Sequence, residues 1–383
     1  MAVKGPLSGV TVIDLSRILA GPYCTLLMAE MGARVIKVET PGKGDDAREY
    51  GPFKGGKSTY FSSVNRGKQS IALDLKKDSD KKIFEKLLAK GDVLIENYRP
   101  GTMEKLGYGW AQLHPRYPKL IYAAASGFGH TGPDSAKPAY DMVVQGLGGI
   151  MSVTGHEGQP PVRIGMSIGD IGAGLYMAVA VNAALLHREK TGEATEIDIG
   201  MFDCQLALLE NAIMRYTVTG EIPKPLGARH PTITPFEAFQ AADGYVVISA
   251  GNDALFQRLA ATLGRPAMAV NPDYASNELR QKSQPKLKAE IEVVLKTKSV
   301  AQWLPVFEVA GIPASPINNI AQALAHPQTS ARNMLITVDD PASGPLKLAG
   351  NPIKFSAFPD PKTREPAPAL DADHATILKE LGG

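Results

Sequence analysis

Val10-Thr-Val-Ile-Asp14, then a helical pattern over 23–31 closed by Gly32, then Arg34-Val-Ile-Lys-Val-Glu39, is the stretch that decides the fold. Both flanking runs are short and rich in β-branched residues, and the segment between them has the length and apolar spacing of one helix. A helix that carries the chain back between two strands makes those strands parallel. Their near-continuous apolar character then requires cover on both faces of the sheet. Outward from this unit the rhythm repeats. Strands are expected over 70–75, 92–96 and 120–125, with a helix over 79–90 stopped by Gly91. A long helix over 172–190, a strand over 195–199 and a helix over 202–216 follow. The expected class is α/β, with a parallel Rossmann-like sheet.

The texture changes after Gly220. Pro223, Pro225, Pro231 and Pro235 forbid a helix, so 221–235 reads as a linker. A strand pair straddles Asp243-Gly244, a hairpin signal, and helices are expected over 254–263, 277–296 and 300–309. From Leu335 the chain is Pro-rich and reads as extended until a short helix over 375–381. The expected division is therefore a large α/β domain over 1–220 and 331–383 and a small α+β domain over 236–330. A length of 383 residues agrees, being more than one ordinary core accommodates.

A formal net charge of +2 argues against a broad phosphate-neutralising surface, and so against nucleic acid as a partner. The two cysteines, Cys24 and Cys204, cannot form a disulfide framework or a CxxC metal site, and they fit a reducing compartment. No metal site is expected. The apolar start is interrupted by Asp14 and Arg17 and reads as a first strand, not as a leader. No apolar run is expected to reach the ~18 residues of a membrane span. A soluble, cytoplasmic protein without membrane partners is the expectation.

Two phosphate-binding strings lack their context. Gly51-Pro-Phe-Lys-Gly-Gly-Lys57-Ser58 matches the Walker A spacing, but no buried strand precedes it and no long helix pattern follows. Gly127-Phe-Gly129-His-Thr-Gly132 follows a strand, yet Pro133 and Pro138 deny it the helix that would hold a pyrophosphate.

The second string, and much else, falls inside a broader resemblance. Its carriers are Asp14-Leu-Ser-Arg-Ile-Leu-Ala-Gly-Pro22, Gly32-Ala-Arg-Val-Ile-Lys-Val-Glu39, Asn65-Arg-Gly-Lys-Gln-Ser-Ile-Ala-Leu-Asp74 and Asp92-Val-Leu-Ile-Glu-Asn97 with Pro100-Gly101. Ser126-Gly-Phe-Gly-His-Thr-Gly-Pro133, the segment 165–174 and Ala241-Ala-Asp-Gly-Tyr-Val246 complete the set. In this order they resemble the class III CoA-transferases, the family of formyl-CoA transferase, carnitine CoA-transferase and α-methylacyl-CoA racemase. Gly44-Asp-Asp-Ala-Arg48, Ser63-Val-Asn-Arg66, Ser249-Ala-Gly-Asn252 and Pro316-Ile-Asn-Asn319 are most similar to the dicarboxylate branch, such as succinate–hydroxymethylglutarate CoA-transferase.

The resemblance implies an interlocked homodimer and a CoA-transferase that needs no bound cofactor, with CoA and acyl-CoA as substrates and succinyl-CoA as the expected donor. It places Asp170, in Gly165-Met-Ser-Ile-Gly-Asp170-Ile-Gly-Ala-Gly174, at the position of the family's nucleophile. Directly before the long helix, that carboxylate is expected to be kept ionised by the helix dipole. Tyr60, Tyr140 and Asp141 match active-site positions, and Gly251-Asn252 matches a water-excluding loop. Arg17, Thr40, Leu73, Lys76, Asn97, Lys105 and Lys137 fall at or near CoA-contact positions, where the cations suit phosphates. For a distal substrate carboxylate the expected cations are Arg48, Arg66 and Arg229, with His230 beside the last. Leu19, where formyl-CoA transferases carry glutamine, is expected to disfavour formate and oxalate. The rival of the same fold is the racemase, whose motif needs His before Asp. Here Tyr140 precedes Asp141, and a phenol with pKa near ~10 is a poor α-proton base. A CoA-binding protein without turnover is the remaining alternative.

Overall fold

The βαβ rhythm is realised as one six-stranded parallel sheet in the order β5-β2-β1-β6-β7-β8. In the computed structural model, which describes residues 4–382, the strands are β1 Thr11–Asp14, β2 Arg34–Glu39, β5 Gln69–Ala72, β6 Val93–Glu96, β7 Ile121–Ser126 and β8 Glu196–Gly200. Adjacent residues of β1 point to opposite faces. Val12 joins a core with helix α1 (Ala20–Glu30), while Ile13 joins one with helix α3 (Asp78–Lys90). Burial on both faces explains why the strands read as unbroken apolar runs. Helix α2 (Thr59–Asn65) precedes β5 and is N-capped by Ser58, whose hydroxyl accepts from the Phe61 amide at 3.0 Å.

The first face is closed by the long helix α5 (Ile168–Thr191), reached through α4 (Asp141–Leu147). α5 crosses α1 closely because Gly174 has no side chain: a Cβ there would lie 2.6 Å from the Ala20 carbonyl oxygen. The helix starts at Ile168, four residues before the expected 172, so Asp170 lies inside its first turn and not ahead of it. The expectation about membrane length is also corrected, because these 24 residues are apolar and long enough to cross a bilayer. One side of the helix packs into the core through Met177, Ala178 and Val181, while Val179 and Leu186 stay exposed. The helix expected over 202–216 is two, α6 (Met201–Leu208) and α7 (Glu210–Thr219).

The Walker-like string is a hairpin, β3 (Phe53–Lys54) and β4 (Lys57–Ser58), turning through Gly55 and Gly56 at φ +57° and +76°. Lys57 pairs with Asp340 at 3.0 Å, so its ammonium neutralises a buried carboxylate and cradles no phosphate. The expected extended tail contains a further hairpin, β12 (Leu335–Asp340) with β13 (Gly344–Ala349), extended by β14 (Thr363–Arg364). The chain closes with α12 (His374–Glu380), whose Ile377 enters the α3 side of the sheet.

The chain forms two compact units. The larger takes in the described residues through Ser152, Val162–Pro223 and the chain from Pro327. The smaller consists of Val153–Pro161 and Lys224–His326. Most of the expected linker thus belongs to the smaller unit, where His156 bridges Leu226 and the Gly227 amide donates to Gly155 at 2.7 Å. That unit has a sheet of β9 (Phe236–Gln240), β10 (Tyr245–Ser249) and β11 (Ala314–Pro316). Helices α8 (Asp253–Thr262), α9 (Asn277–Lys282), α10 (Gln284–Leu295) and α11 (Val300–Val309) cover it. One helix was expected over 277–296, but Pro285 in the first turn of α10 starts a new one.

Candidate active site

Strand order reverses between β1 and β6, and at their carboxyl ends a cleft of about 410 Å³ opens in the larger unit. Such a switch point is where parallel sheets leave room for a ligand. Arg17 and Ile18 enter from the end of β1, Asn97 to Arg99 from β6, and Ser126 and Gly127 from β7. Lys137, Tyr140, Met201 and Asp170 complete the relevant lining.

No described residue donates a hydrogen bond to the Asp170 carboxylate. Burial and the neighbouring Asp141 push its pKa up to about 7. The expectation that the helix terminus keeps it ionised is therefore corrected: desolvation and a like charge outweigh the dipole. Tyr60, half-buried on α2, is pushed up to about 12 by burial and the charge of Asp170, which places the two close together. Its ring meets Tyr50 edge-on at 5.8 Å.

Asp141 underpins the turn that carries Asp170. Its Oδ1 accepts from the Gly169 amide at 2.9 Å and its Oδ2 from Gln145 Nε2 at 2.8 Å. Gln145 Oε1 in turn accepts from the Ile164 amide at 3.0 Å. Every donor and acceptor role in this chain is fixed, so position 141 requires an acceptor-only carboxylate. Gly169 must be glycine for the same approach, since a Cβ would lie 2.6 Å from Val144 Cγ2 and 3.1 Å from Asp141 Oδ1.

The front of the cleft is fixed by backbone capture. The Arg17 amide donates to Asn97 Oδ1 at 2.7 Å and Asn97 Nδ2 donates to the Arg17 carbonyl at 2.8 Å. Next to it Ile18 stands at φ +67°, left-handed and unusual for a β-branched residue. Its amide donates to Asp45 Oδ1 at 3.0 Å, and Asp45 is paired with the fully buried Lys37 at 2.8 Å. Behind them Lys68, also fully buried, contacts Asp14, Thr25, Asn65 and the Pro22 carbonyl, and burial pulls its pKa down to about 8.

Of the expected CoA contacts, Arg17, Asn97 and Lys137 share the cleft with Asp170. Thr40, Lys76 and Lys105 are exposed and Leu73 is core, and none of the four lines it. Arg17 is paired with Asp46, and Lys137 with Asp134 at 2.7 Å. Arg99, not singled out from the sequence, lines the cleft with no described partner for its guanidinium.

Two of the expected carboxylate receivers are corrected. Arg48 makes a two-point contact with Glu39 at 2.7 and 2.8 Å and lies over the Phe61 ring. Arg66 is buried against Glu30 at 2.7 Å, and its remaining nitrogens donate to the Ser63 and Ala349 carbonyls at 3.0 Å. Neither guanidinium is free for a substrate. In the smaller unit Arg229 donates to Gln284 at 3.2 Å, and His230 accepts from the Thr232 amide at 3.2 Å. Asn252 N-caps α8 there by accepting from Leu255 at 2.8 Å, and Gly251 packs against Ile233. Glu96 is a second raised carboxylate, pushed up by burial to about 7, but Tyr122 and the Tyr98 amide bond it at 3.0 and 2.6 Å, outside the lining.

A cleft at the switch point of a parallel sheet, lined by Arg17, Arg99 and Lys137 together with the Asp170 carboxylate, is a place for an anionic ligand beside a carboxylate without a donor among the described residues. The sequence pattern of CoA-transferase family III matches residues 7–374, and the chain belongs to that family. It is a CoA-transferase, acting on CoA thioesters. It is 46% identical to acetyl-CoA:oxalate CoA-transferase of Acetobacter aceti, covering 99% of this chain and 96% of that one. It is 37% identical to succinyl-CoA:glutarate CoA-transferase of Homo sapiens, covering 98% and 86%. The crystal structure of a CAIB/BAIF family protein from Brucella suis superposes with a TM-score of 0.85 at 38% identity, covering 99% of this chain and all of that one.

Proposed function

We propose that the enzyme moves CoA from an acyl-CoA to a free dicarboxylic acid through covalent intermediates on Asp170. The observation that carries this is the Asp170 carboxylate, buried, without a hydrogen-bond donor, at the end of the cationic cleft. Ionised Asp170 attacks the donor thioester carbonyl; a C–O bond forms, the C–S bond breaks, and an anhydride and CoA thiolate result. The thiolate attacks the aspartyl carbonyl, giving an aspartyl-CoA thioester and releasing the donor acid. The acceptor carboxylate displaces the thiolate through a second anhydride, and the thiolate then attacks the acceptor acyl carbon and frees Asp170. One thioester is consumed and one formed, so no ATP enters.

Arg17, Asn97, Arg99 and Lys137 would hold CoA in the cleft, with Arg99 the least committed to protein partners. A molecule of CoA's length would continue beyond the cleft, and Lys76 and Lys105, both exposed, stay candidates for its far end. Tyr60 and Tyr140 would flank the reacting carbonyl, Tyr60 as a neutral donor because its pKa is so high. The names of the relatives support dicarboxylates as the acceptor class. Oxalate belongs among them, against the expectation from Leu19. The test is to mix the protein with acetyl-CoA or succinyl-CoA and a panel of free acids, without ATP, and to resolve CoA esters by mass. New dicarboxylyl-CoA esters should form with wild type and fall by at least ~10³-fold in Asp170→Ala. Equal product from both proteins would remove Asp170 from the mechanism.

The working form we propose is the interlocked homodimer. Val179 on α5 and Met214, Tyr216 and Val218 on α7 are 68%, 62%, 52% and 73% exposed, large apolar side chains that burial against a second copy would remove from water. Sedimentation at twice the chain mass is expected; a monomer at micromolar concentration contradicts it.

A further inference from the structure

With Arg48 and Arg66 tied to buried glutamates, the cation for a substrate's second carboxylate has to be sought elsewhere in the larger unit. We propose that Arg163 is that residue, a specificity-determining site for the distal carboxylate of the dicarboxylic acyl group. The inference rests on the dicarboxylate reading above and adds the residue that would enforce it.

Arg163 lies just ahead of α5, and the chain after it is pinned where the nucleophile's turn is built: the Ile164 amide donates to Gln145 at 3.0 Å, and Gln145 holds Asp141. Its guanidinium comes no closer than 3.7 Å to Asp141 Oδ2 and makes no hydrogen bond to any described residue, and its side chain is 42% exposed. Arginines with a structural task in this protein look different. Arg66 and Arg364 embrace Glu30 at 2.7 and 2.8 Å, and Arg280 reaches Asp253 at 2.7 Å and two carbonyls besides. A half-open guanidinium with its donors unspent is suited to a planar carboxylate that arrives and leaves.

Its position also suits the geometry of the reaction. The cleft cations lie on the CoA side of Asp170, and neither Asp141 nor Arg163 lines that cleft. A thioester seated with its carbonyl at Asp170 directs CoA along the cleft and its acyl chain away from it. Arg163 stands beside Asp141, whose charge acts on Asp170. An anion recruited there is met by a cation on a flank otherwise held by two carboxylates, which would repel an unpaired second carboxylate.

Acceptor kinetics of Arg163→Gln and Arg163→Lys decide the matter, using the best dicarboxylate acceptor found for wild type. In Arg163→Gln the KM for that acid should rise roughly 10- to 100-fold, the worth of one charge-assisted contact. Arg163→Lys should recover part of the loss, since it keeps the charge without the fork. A rise of less than tenfold in the glutamine variant overturns the assignment. So does a collapse of kcat at unchanged KM, which would make Arg163 a charge balance for Asp141 only. A wild-type enzyme that esterifies no dicarboxylate would instead overturn the reading on which the inference stands.

Discussion

Asp141 opens α4 and Asp170 lies in the first turn of α5, so each carboxylate sits where a helix terminus favours negative charge by about 0.3–1 kcal/mol. At Asp141 the surroundings meet negative charge with donors: a backbone amide and the Gln145 side chain donate at 2.9 and 2.8 Å. At Asp170 they oppose it. The rise from 3.8 to about 7 amounts to about 4 kcal/mol against the charged form, several times the helix contribution. Two aspartates, each in the first turn of a helix, thus differ: one is a strut and the other, on the function proposed above, the reagent. What separates them is the supply of donors. A carboxylate deprived of hydrogen bonds would give up less solvation on attacking a carbonyl, and its raised pKa brings its ionisation towards neutral pH.

The contrast can be broken most severely at the strut. Asp141→Asn turns an acceptor into a mixed group, and its amide must face either the Gly169 amide or Gln145 Nε2, leaving a donor unmatched at about 1–3 kcal/mol. Turnover at pH 7.5 should fall roughly 10- to 100-fold, the rate equivalent of that misplacement. The acid limb of its pH–rate profile, which the proposed role of Asp170 would place near 7 in wild type, should also move to lower pH, because a like charge has gone. A limb that stays in place would show that burial alone raises Asp170.

A smaller effect sharpens the comparison from the side of stability. Asp170 ionises near 3.8 when unfolded but near 7 when folded, so the folded state gains from a neutral Asp170 below 3.8 and loses that gain as pH rises through 7. Asp170→Asn, which lacks the buried charge, should therefore melt about 2–5 °C higher than wild type at pH 8 and equally at pH 4. Equal melting at both pH values would mean that Asp170 is better solvated than its burial implies.

The sheet was legible because β-branched runs separated by one helix length admit little else, and all six strands lie close to their expected positions. The start of α5 was not. Residues 168–171 lie outside the expected helix, and glycine is a poor helix former, yet at Gly169 the missing side chain admits Asp141 and Val144. The recruitment of 153–161 to the smaller unit depends on pairing with Leu226, a contact between distant parts of the chain that local patterns do not carry. Arg48, Arg66 and Arg163 are equivalent as letters. Only the positions of Glu39 and Glu30, each brought in by the fold, separate arginines that are occupied from one that is available. Arg99 could have been noticed, since it falls between Asn97 and Pro100 in a stretch already matched to the family.

Ile18 has a consequence for affinity. Holding a β-branched residue left-handed costs of the order of 1–3 kcal/mol, and such a conformation persists only where its surroundings over-determine it. Here Asp45, anchored by Lys37, takes the Ile18 amide, while Asn97 takes both polar groups of Arg17. The ordering entropy of this wall of the cleft is thus spent when the chain folds. A thioester bound in this cleft, as proposed above, would meet a rigid surface and lose little binding energy to arranging it, so that affinity there would be set by preorganisation more than by the number of contacts.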